Sequence, residues 1–92
     1  MAKTIYSAEY RRLVQRLRAR REEVGLTQTA LSLKLGWPQQ RLSAIEAGAR
    51  RLDVMEFLHL TSQLGLTPAI AVGIAVEASK SPSAARATKG DR

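Results

Sequence analysis

The sequence contains no cysteine, a single histidine and few aromatic residues, and these shortages exclude several kinds of site. Without cysteine the chain has no disulfide bond and no thiolate ligand for a metal. His59, scattered carboxylates and the lack of a phosphate-binding glycine loop give no pattern typical of catalysis. We therefore expect a protein that is not an enzyme and that uses neither a metal nor a cofactor.

Long apolar runs are missing as well. The longest, Ala69 to Val76, is far shorter than the roughly 20 residues that a membrane span needs. The segment from Met1 to Tyr6 lacks the apolar core of a signal peptide. We expect a soluble, cytoplasmic protein without a membrane partner.

Acidic residues are outnumbered by basic ones. The chain has 15 lysines and arginines against 8 acidic residues, for a net charge of +7, and 11 of the basic residues are arginine. Arginine suits phosphate and base edges better than lysine does, although a basic face is also common in proteins that bind no nucleic acid. The 92 residues allow one domain with a small core, to which oligomerisation is expected to add stability.

Four segments begin at a residue typical of a helix start and end at a glycine. They run from Ser7 to Gly25, from Thr27 to Gly36, from Pro38 or Gln39 to Gly48, and from Asp53 to Gly65. Apolar residues recur in them at three- and four-residue steps, as on one face of an α-helix. The faces of the first and fourth segments include Tyr10, Leu13, Val14, Leu17 and Val24, and Val54, Phe57, Leu58, Thr61 and Leu64. The arginines on the outer side of the first segment are expected to be solvated.

A fifth segment, after Thr67, has two interpretations. Thr67 and Pro68 are suited to cap and open a helix that runs to Glu77, and this interpretation is favoured. A β-strand is the alternative interpretation, because four branched residues alternate with other residues. The four branched residues are Ile70, Val72, Ile74 and Val76. Because the segment is apolar on every side, we expect them to form a dimer interface.

The second and third segments form a pair of short helices joined by a tight Gly-Trp-Pro turn. The second helix of such a pair fits the DNA major groove. Gln39, Gln40 and Arg41 stand at its start, where a glutamine can pair with adenine and an arginine with guanine. The arrangement predicts a protein that binds double-stranded DNA.

The run from Arg21 to Leu64 resembles the phage-repressor/Cro type of helix-turn-helix protein, the XRE family. The landmarks of the resemblance are Gly25, Thr27-Gln28, Leu31, Leu35-Gly36, Ser43, Ile45-Glu46 and Gly48. The resemblance implies an all-α, compact bundle of about five helices that binds a near-palindromic operator as a homodimer. It also implies a structural salt bridge between Arg21 and Glu46, which holds the third helix to the first.

The resemblance further implies a set of DNA contacts. Gln28 would contact phosphate and brace Gln39, and the region of Arg50 and Arg51 would contact phosphate. The residues implied at base edges are Gln39, Gln40, Arg41 and Ala44.

Two positions depart from the family pattern. Pro38 offers no side-chain cap and no hydroxyl for a phosphate, and Ala44 can touch only a thymine methyl group. DNA shape is then expected to supply more of the specificity.

The function predicted from the sequence is a transcriptional regulator, in the form of a dimeric repressor in the cytoplasm and nucleoid. The alternative is the antitoxin of a toxin–antitoxin pair, which binds its own operator and holds a toxin with its tail. A third class is a basic module that binds a membrane surface or another protein. The predicted organisation is an N-terminal arm (1–6), a DNA-binding domain (7–66), a dimerisation element (67–79) and a disordered tail (80–92).

Overall fold

Five α-helices account for the fold of residues 7–80, which are the residues that the computed structural model describes. They are α1 (Ala8–Glu23), α2 (Gln28–Leu35), α3 (Gln39–Glu46), α4 (Val54–Gln63) and α5 (Pro68–Ser79). The predicted all-α bundle of about five helices is confirmed. The predicted arm and nearly all of the predicted tail, including the part that would hold a toxin, lie outside the described residues.

Side-chain caps explain where four of the helices begin. The side chains of Ser7, Thr27, Asp53 and Thr67 each accept a hydrogen bond from the backbone N–H three residues further on. Such a cap satisfies a donor that the first turn of a helix leaves without a partner. Pro38, which precedes α3, makes no side-chain cap, so α3 depends on the preceding turn for its start.

The fifth segment is a helix, as the favoured interpretation expected. Thr67 caps it, and Pro68 occupies the first turn, where a missing N–H costs nothing. A helix turns about 100° per residue, so residues two apart point in nearly opposite directions. Ile70 and Ile74 therefore lie on one side of α5, while Val72 and Val76 lie on the other.

The core lies where α1, α2, α3 and α4 meet. Its central side chains, which are almost completely buried, are Leu17, Leu31, Leu42, Leu60 and Leu64. Trp37 and Leu35, from the turn and the end of α2, pack against this cluster. α5 packs on α1 and α4 and buries the small side chains of Ala71 and Ala78.

Two residues of the predicted apolar faces are exposed, and the prediction was wrong for them. Val24 follows the last turn of α1 and is 40% exposed, while Val54 opens α4 and is 73% exposed. Both stand at helix ends, which extend past the core. Leu60, which was not predicted to be inward, is buried in the middle of α4 instead.

Two arginines of α1 that were expected to be solvated have structural partners. The Nε atoms of Arg12 and Arg20 donate to the carbonyl oxygens of Ala78 at 3.1 Å and of Leu64 at 3.0 Å. These carbonyls lie at the C-terminal ends of α5 and α4, where a positive charge is favoured. The two arginines thus fasten α1 to the ends of its neighbours.

Within residues 7–80, no single helix is long and apolar enough to cross a membrane. α4 and α5 reach the required length and composition only together, and they are bent by 116° at the break between them. The same residues contain no group of three His, Cys, Asp or Glu side chains arranged like metal ligands.

Candidate nucleic-acid interface

The turn between α2 and α3 orients the third helix. Gly36 ends α2 in the left-handed region, at φ 72° and ψ 27°, and the N–H of Trp37 donates to the carbonyl of Ser32 at 3.0 Å. This hydrogen bond closes the C-terminal end of α2, as is typical where a glycine in the left-handed region follows a helix. Because Pro38 has a fixed φ, the chain leaves the turn extended and enters α3 at Gln39.

The outward face of α3 follows from which of its residues are buried. Leu42 and Ile45 point into the core and are at most 1% exposed. The helical repeat then places Gln40, Ser43 and Ala44 on the opposite side. The structure thus turns a narrow stripe of polar and small side chains toward solvent. Ser43 was not included in the predicted site, although its spacing of three from Gln40 places it on the same face.

A chain of side-chain contacts runs behind this face. The guanidinium of Arg21 donates to both carboxylate oxygens of Glu46, at 2.7 and 3.0 Å. The amide nitrogen of Gln28 donates to Glu46 Oε1 at 2.9 Å, and that of Gln39 donates to Gln28 Oε1 at 3.4 Å. The structure therefore brings together the four residues that the family resemblance linked in pairs.

The direction of each bond in this chain is fixed by Glu46. A carboxylate paired with an arginine offers only acceptors, so the NH₂ group of Gln28 must face Glu46. The carbonyl oxygen of Gln28 then faces Gln39 and selects the NH₂ group of Gln39 as its donor. As a result, Gln39 has its carbonyl oxygen and its second N–H left for a ligand.

Arg21 is the buried end of the chain of contacts. Its side chain is 8% exposed, and Nη1 also donates to the backbone carbonyl of Leu26 at 2.7 Å. The hydrogen bond to Glu46 raises the pKa of Arg21 above its ordinary, already high value, against the opposing effect of burial. The guanidinium is therefore charged at neutral pH and pairs there with the Glu46 carboxylate behind Gln28 and Gln39.

Two further arginines gather at one carboxylate on the other side of α3. Arg50 donates to both oxygens of Glu56 at distances of 3.2 to 3.3 Å. Arg41 Nη1 lies 3.7 Å from Glu56 Oε2, and the Arg41 guanidinium carbon lies 5.4 Å from the centre of the Trp37 ring. Arg41 is thus directed along the side of α3, away from the stripe of Gln40, Ser43 and Ala44.

The loop between α3 and α4 is anchored through its backbone. The hydroxyl of Tyr10 donates to the carbonyl of Arg50 at 2.7 Å and accepts from the N–H of Leu52 at 3.0 Å. The side chain of Arg51, between these two points, is exposed. The loop therefore presents its two arginines from a fixed backbone.

The predicted site residues fall into separate groups. Gln28, Gln39, Gln40 and Ala44 lie on or beside the outward face of α3, while Arg41 and Arg50 meet at Glu56. The branched residues of α5 belong to a helix that packs on α1 and α4. No signal in the sequence indicated that Glu56 would bind the two arginines.

Two short helices joined by a tight turn, with polar side chains exposed at the N-terminus of the second, are typical of the helix-turn-helix class of DNA-binding proteins. A family model described as helix-turn-helix matches residues 17–70, which is more than half of the chain. The protein belongs to this family, in its XRE, Cro/repressor-like type, and is a DNA-binding transcriptional regulator. Members of the family are not usually enzymes. No curated protein matches the chain.

Proposed function

We propose that this protein binds a near-palindromic operator as a homodimer and represses transcription by occupying it. The observation that carries the proposal is the bonded chain from Arg21 through Glu46 and Gln28 to Gln39, which orients one amide at the exposed end of α3. The proposed place of action is the cytoplasm and nucleoid.

Gln39 has the groups that recognise adenine. In the major groove adenine presents the N6 amino group as a donor and N7 as an acceptor. The carbonyl oxygen and the second N–H of Gln39 complement both. Because Gln28, itself bonded to Glu46, holds the Gln39 amide from behind, less side-chain entropy is lost when the base is bound. Gln28, at the start of α2, supports Gln39 and is proposed to contact a phosphate beside it.

The neighbouring residues complete the proposed contact. Gln40 and Ser43 offer hydrogen-bonding groups on the outward face, and Ala44 can meet only a thymine methyl group. Arg50 and Arg51 are proposed to contact the phosphate backbone, which positions α3 without reading sequence. Arg41 is proposed to contact the backbone at the groove edge, since its guanidinium is held toward Glu56 and Trp37.

The proposed dimer interface is the side of α5 that carries Val72 and Val76. These side chains are 52% and 47% exposed. Ala75, on the adjoining part of the helix surface, lines a groove of about 360 Å³ together with Phe57 and Val54. The valines therefore continue an apolar surface that reaches onto α4.

The other side of α5 suits a dimer less well. Ile74 is already half-buried there, and Glu77 lines a second pocket with Arg12 and Arg16. Charged groups are depleted at the centre of protein interfaces. We therefore propose that a second copy of the chain covers Val72 and Val76, while Ile70 and Ile74 remain outside the interface.

A twofold interface of this kind determines the symmetry and the half-site spacing of the proposed operator. The same patch on both copies contacts itself, and the two α3 helices then point in related directions. Two such helices read half-sites about 34 Å apart, one turn of the duplex. Repression follows when this site overlaps a promoter, because the bound dimer excludes polymerase.

Selection from random duplex DNA with the purified protein tests the proposal. We expect a twofold-symmetric consensus with an adenine at a fixed place in each half-site. When the selected site is placed across the promoter of a reporter gene, expression is expected to fall. Recovery of no preferred duplex, or of a single unrepeated half-site, would contradict the proposal.

A further inference from the structure

Glu56 has more contacts than a helix cap requires. In the capping box its Oε1 accepts from the N–H of Asp53 at 3.0 Å, and the Asp53 side chain accepts from the N–H of Glu56 at 2.7 Å. The same carboxylate also binds the guanidinium of Arg50 through both oxygens and lies 3.7 Å from that of Arg41. The Glu56 side chain is only 15% exposed, whereas those of Arg41 and Arg50 are 35% and 40% exposed. The carboxylate is therefore largely shielded from water, while both guanidinium groups reach solvent.

We propose that Glu56 is a positioning residue for sequence-specific DNA binding: it holds Arg41 and Arg50 in the orientation required at the operator and restrains them from binding other sequences. The inference rests on the proposed function. It assigns to α4, which carries none of the proposed DNA contacts, the positioning of one arginine in α3 and one in the loop that follows α3.

The geometry leaves both arginines able to bind phosphate. A guanidinium carries five N–H donors. Glu56 engages the Nη1 and Nη2 atoms of Arg50 but only the Nη1 atom of Arg41. Each arginine therefore keeps donors that Glu56 does not use, and the direction of those donors is set by the carboxylate.

Other contacts fix the remaining parts of the same two residues. Tyr10 binds the backbone carbonyl of Arg50, and the Trp37 ring lies beside the guanidinium of Arg41. Each arginine is thus held at two points, one of which is Glu56. A long side chain held in this way loses less freedom when it binds a phosphate.

The charge of Glu56 has a second effect. Two arginines beside one carboxylate carry a net charge of one rather than two. Because non-specific DNA binding depends on the number of neutralised phosphates, a carboxylate in the cluster weakens binding to every sequence. At the operator, where orientation matters, this loss is offset by the better placement of both guanidinium groups.

The substitution Glu56→Gln separates the role of Glu56 in the helix cap from its ion pairs with the two arginines. The amide oxygen of the substituted side chain can still accept from the N–H of Asp53, so the helix cap is retained, while the charge that holds the arginines is removed. We expect non-specific affinity to rise. The ratio of operator affinity to non-specific affinity should fall about three- to tenfold. This range corresponds to the free-energy cost of ordering one long side chain on binding.

A matched control is Glu23→Gln on α1. Glu23 is paired with Arg20 at 3.3 Å, and its side chain is 70% exposed. This variant changes the net charge by the same amount, but Glu23 does not contact Arg41 or Arg50. We expect its ratio of specific to non-specific affinity to equal that of the parent.

The two arginines can be tested through a double-mutant cycle. In a protein that already carries Arg41→Gln and Arg50→Gln, adding Glu56→Gln should leave the affinity ratio unchanged. Thermal unfolding of each variant shows whether it is folded. In the parent protein, NMR of the arginine side chains should show hindered rotation of the Arg50 guanidinium, and this measurement needs no substitution at Glu56.

The outcomes separate this inference from the proposed function. If the parent prefers no duplex, both are overturned. If the parent selects an operator but Glu56→Gln keeps the same affinity ratio, or Arg50 rotates freely in the parent, the role of Glu56 is wrong and the proposed function stands. A fall in the ratio that persists without the two arginines would also overturn it.

Discussion

At the scale of single residues, the molecule depends on a buried carboxylate that accepts three hydrogen bonds from two neighbours. Glu46 accepts two hydrogen bonds from Arg21 and one from Gln28, and its side chain is 6% exposed. It joins α1, α2 and α3 at one point and sets the direction of the amide chain that ends at Gln39. The same residue therefore contributes to stability and prepares the proposed contact with adenine.

Glu46→Gln is expected to lower the free energy of unfolding by about 3–5 kcal/mol, because it leaves Arg21 charged and buried without its partner. Denaturant-induced unfolding measures this change. The control is Arg18→Gln, which breaks an exposed pair with Glu22 at 3.2 Å and should cost no more than about 1 kcal/mol. Equal losses for the two variants would show that the buried pair is not a principal support.

The contribution of Arg21 to the free energy of unfolding depends on pH through the pKa of its guanidinium. Its pKa is raised in the folded protein, so its contribution to stability is complete at pH values below the ordinary arginine pKa. The contribution is lost only as the pH rises through the raised value. Around neutral pH this group should therefore not alter the stability as the pH changes.

Contacts among residues that the family pattern marks could be predicted from the sequence, whereas contacts outside that pattern could not. Arg21, Gln28 and Glu46 stand at characteristic spacings, and the structure brings them together. Arg12 and Arg20 bind helix ends that are far away in the sequence, and Glu56 binds Arg50 across a loop. The positions of such contacts depend on how the helices pack, which no local pattern states.

At the scale of helices, boundaries could be predicted because short-range chemistry sets them. Ser7, Thr27 and Asp53 were identified as caps, and the structure shows each accepting a backbone N–H. The fifth segment was harder, because branched residues at alternate positions fit a strand while Thr67 and Pro68 fit a helix start. Residues at helix ends, such as Val24, were misassigned because periodicity does not show where the core stops.

The turn before α3 supplies a prediction at this scale. Gly36 has a positive φ of 72°, and a Cβ atom placed there would meet no atom within 4 Å. Gly36→Ala should therefore lose about 1–2 kcal/mol of folding free energy through backbone strain alone. Gly36→Asn should lose less, since asparagine tolerates this conformation.

Thermal or denaturant unfolding of the two Gly36 variants checks the order of their stabilities. A parent-like stability for Gly36→Ala would mean that the left-handed turn is not required. The variants should keep the sequence preference of the parent whenever they are folded, because neither removes a proposed contact.

At the scale of the whole molecule, the proposed operator binding requires two copies of a small bundle. Each copy has a core of modest size, and an apolar side of α5 is left exposed at Val72 and Val76. Covering that side would both add buried apolar area and place two reading helices on one face of a duplex.

Val72→Glu tests the proposed interface. We expect it to weaken self-association at least about tenfold, because the dimer would bury a carboxylate from each copy in apolar surroundings. The fold of each copy should survive, since Val72 is half-exposed. Sedimentation equilibrium measures the change.

The control for the dimer is Ile70→Glu, on the opposite side of the same helix and 55% exposed. It should leave self-association as in the parent. If Ile70→Glu separates the copies and Val72→Glu does not, the interface lies on the other side of α5. If the parent is monomeric at all accessible concentrations, the dimer proposal is wrong.

The most direct test of sequence reading is the binding of Gln39→Ala to the selected operator and to a series of its single base-pair substitutions, at matched salt. We expect a loss of about 1–3 kcal/mol of binding free energy and no preference for any base pair at one position in each half-site. Gln15→Ala, an exposed glutamine on α1, should bind like the parent. Binding by Gln39→Ala that is as tight and as selective as that of the parent would contradict the claim that the braced amide of α3 reads the DNA.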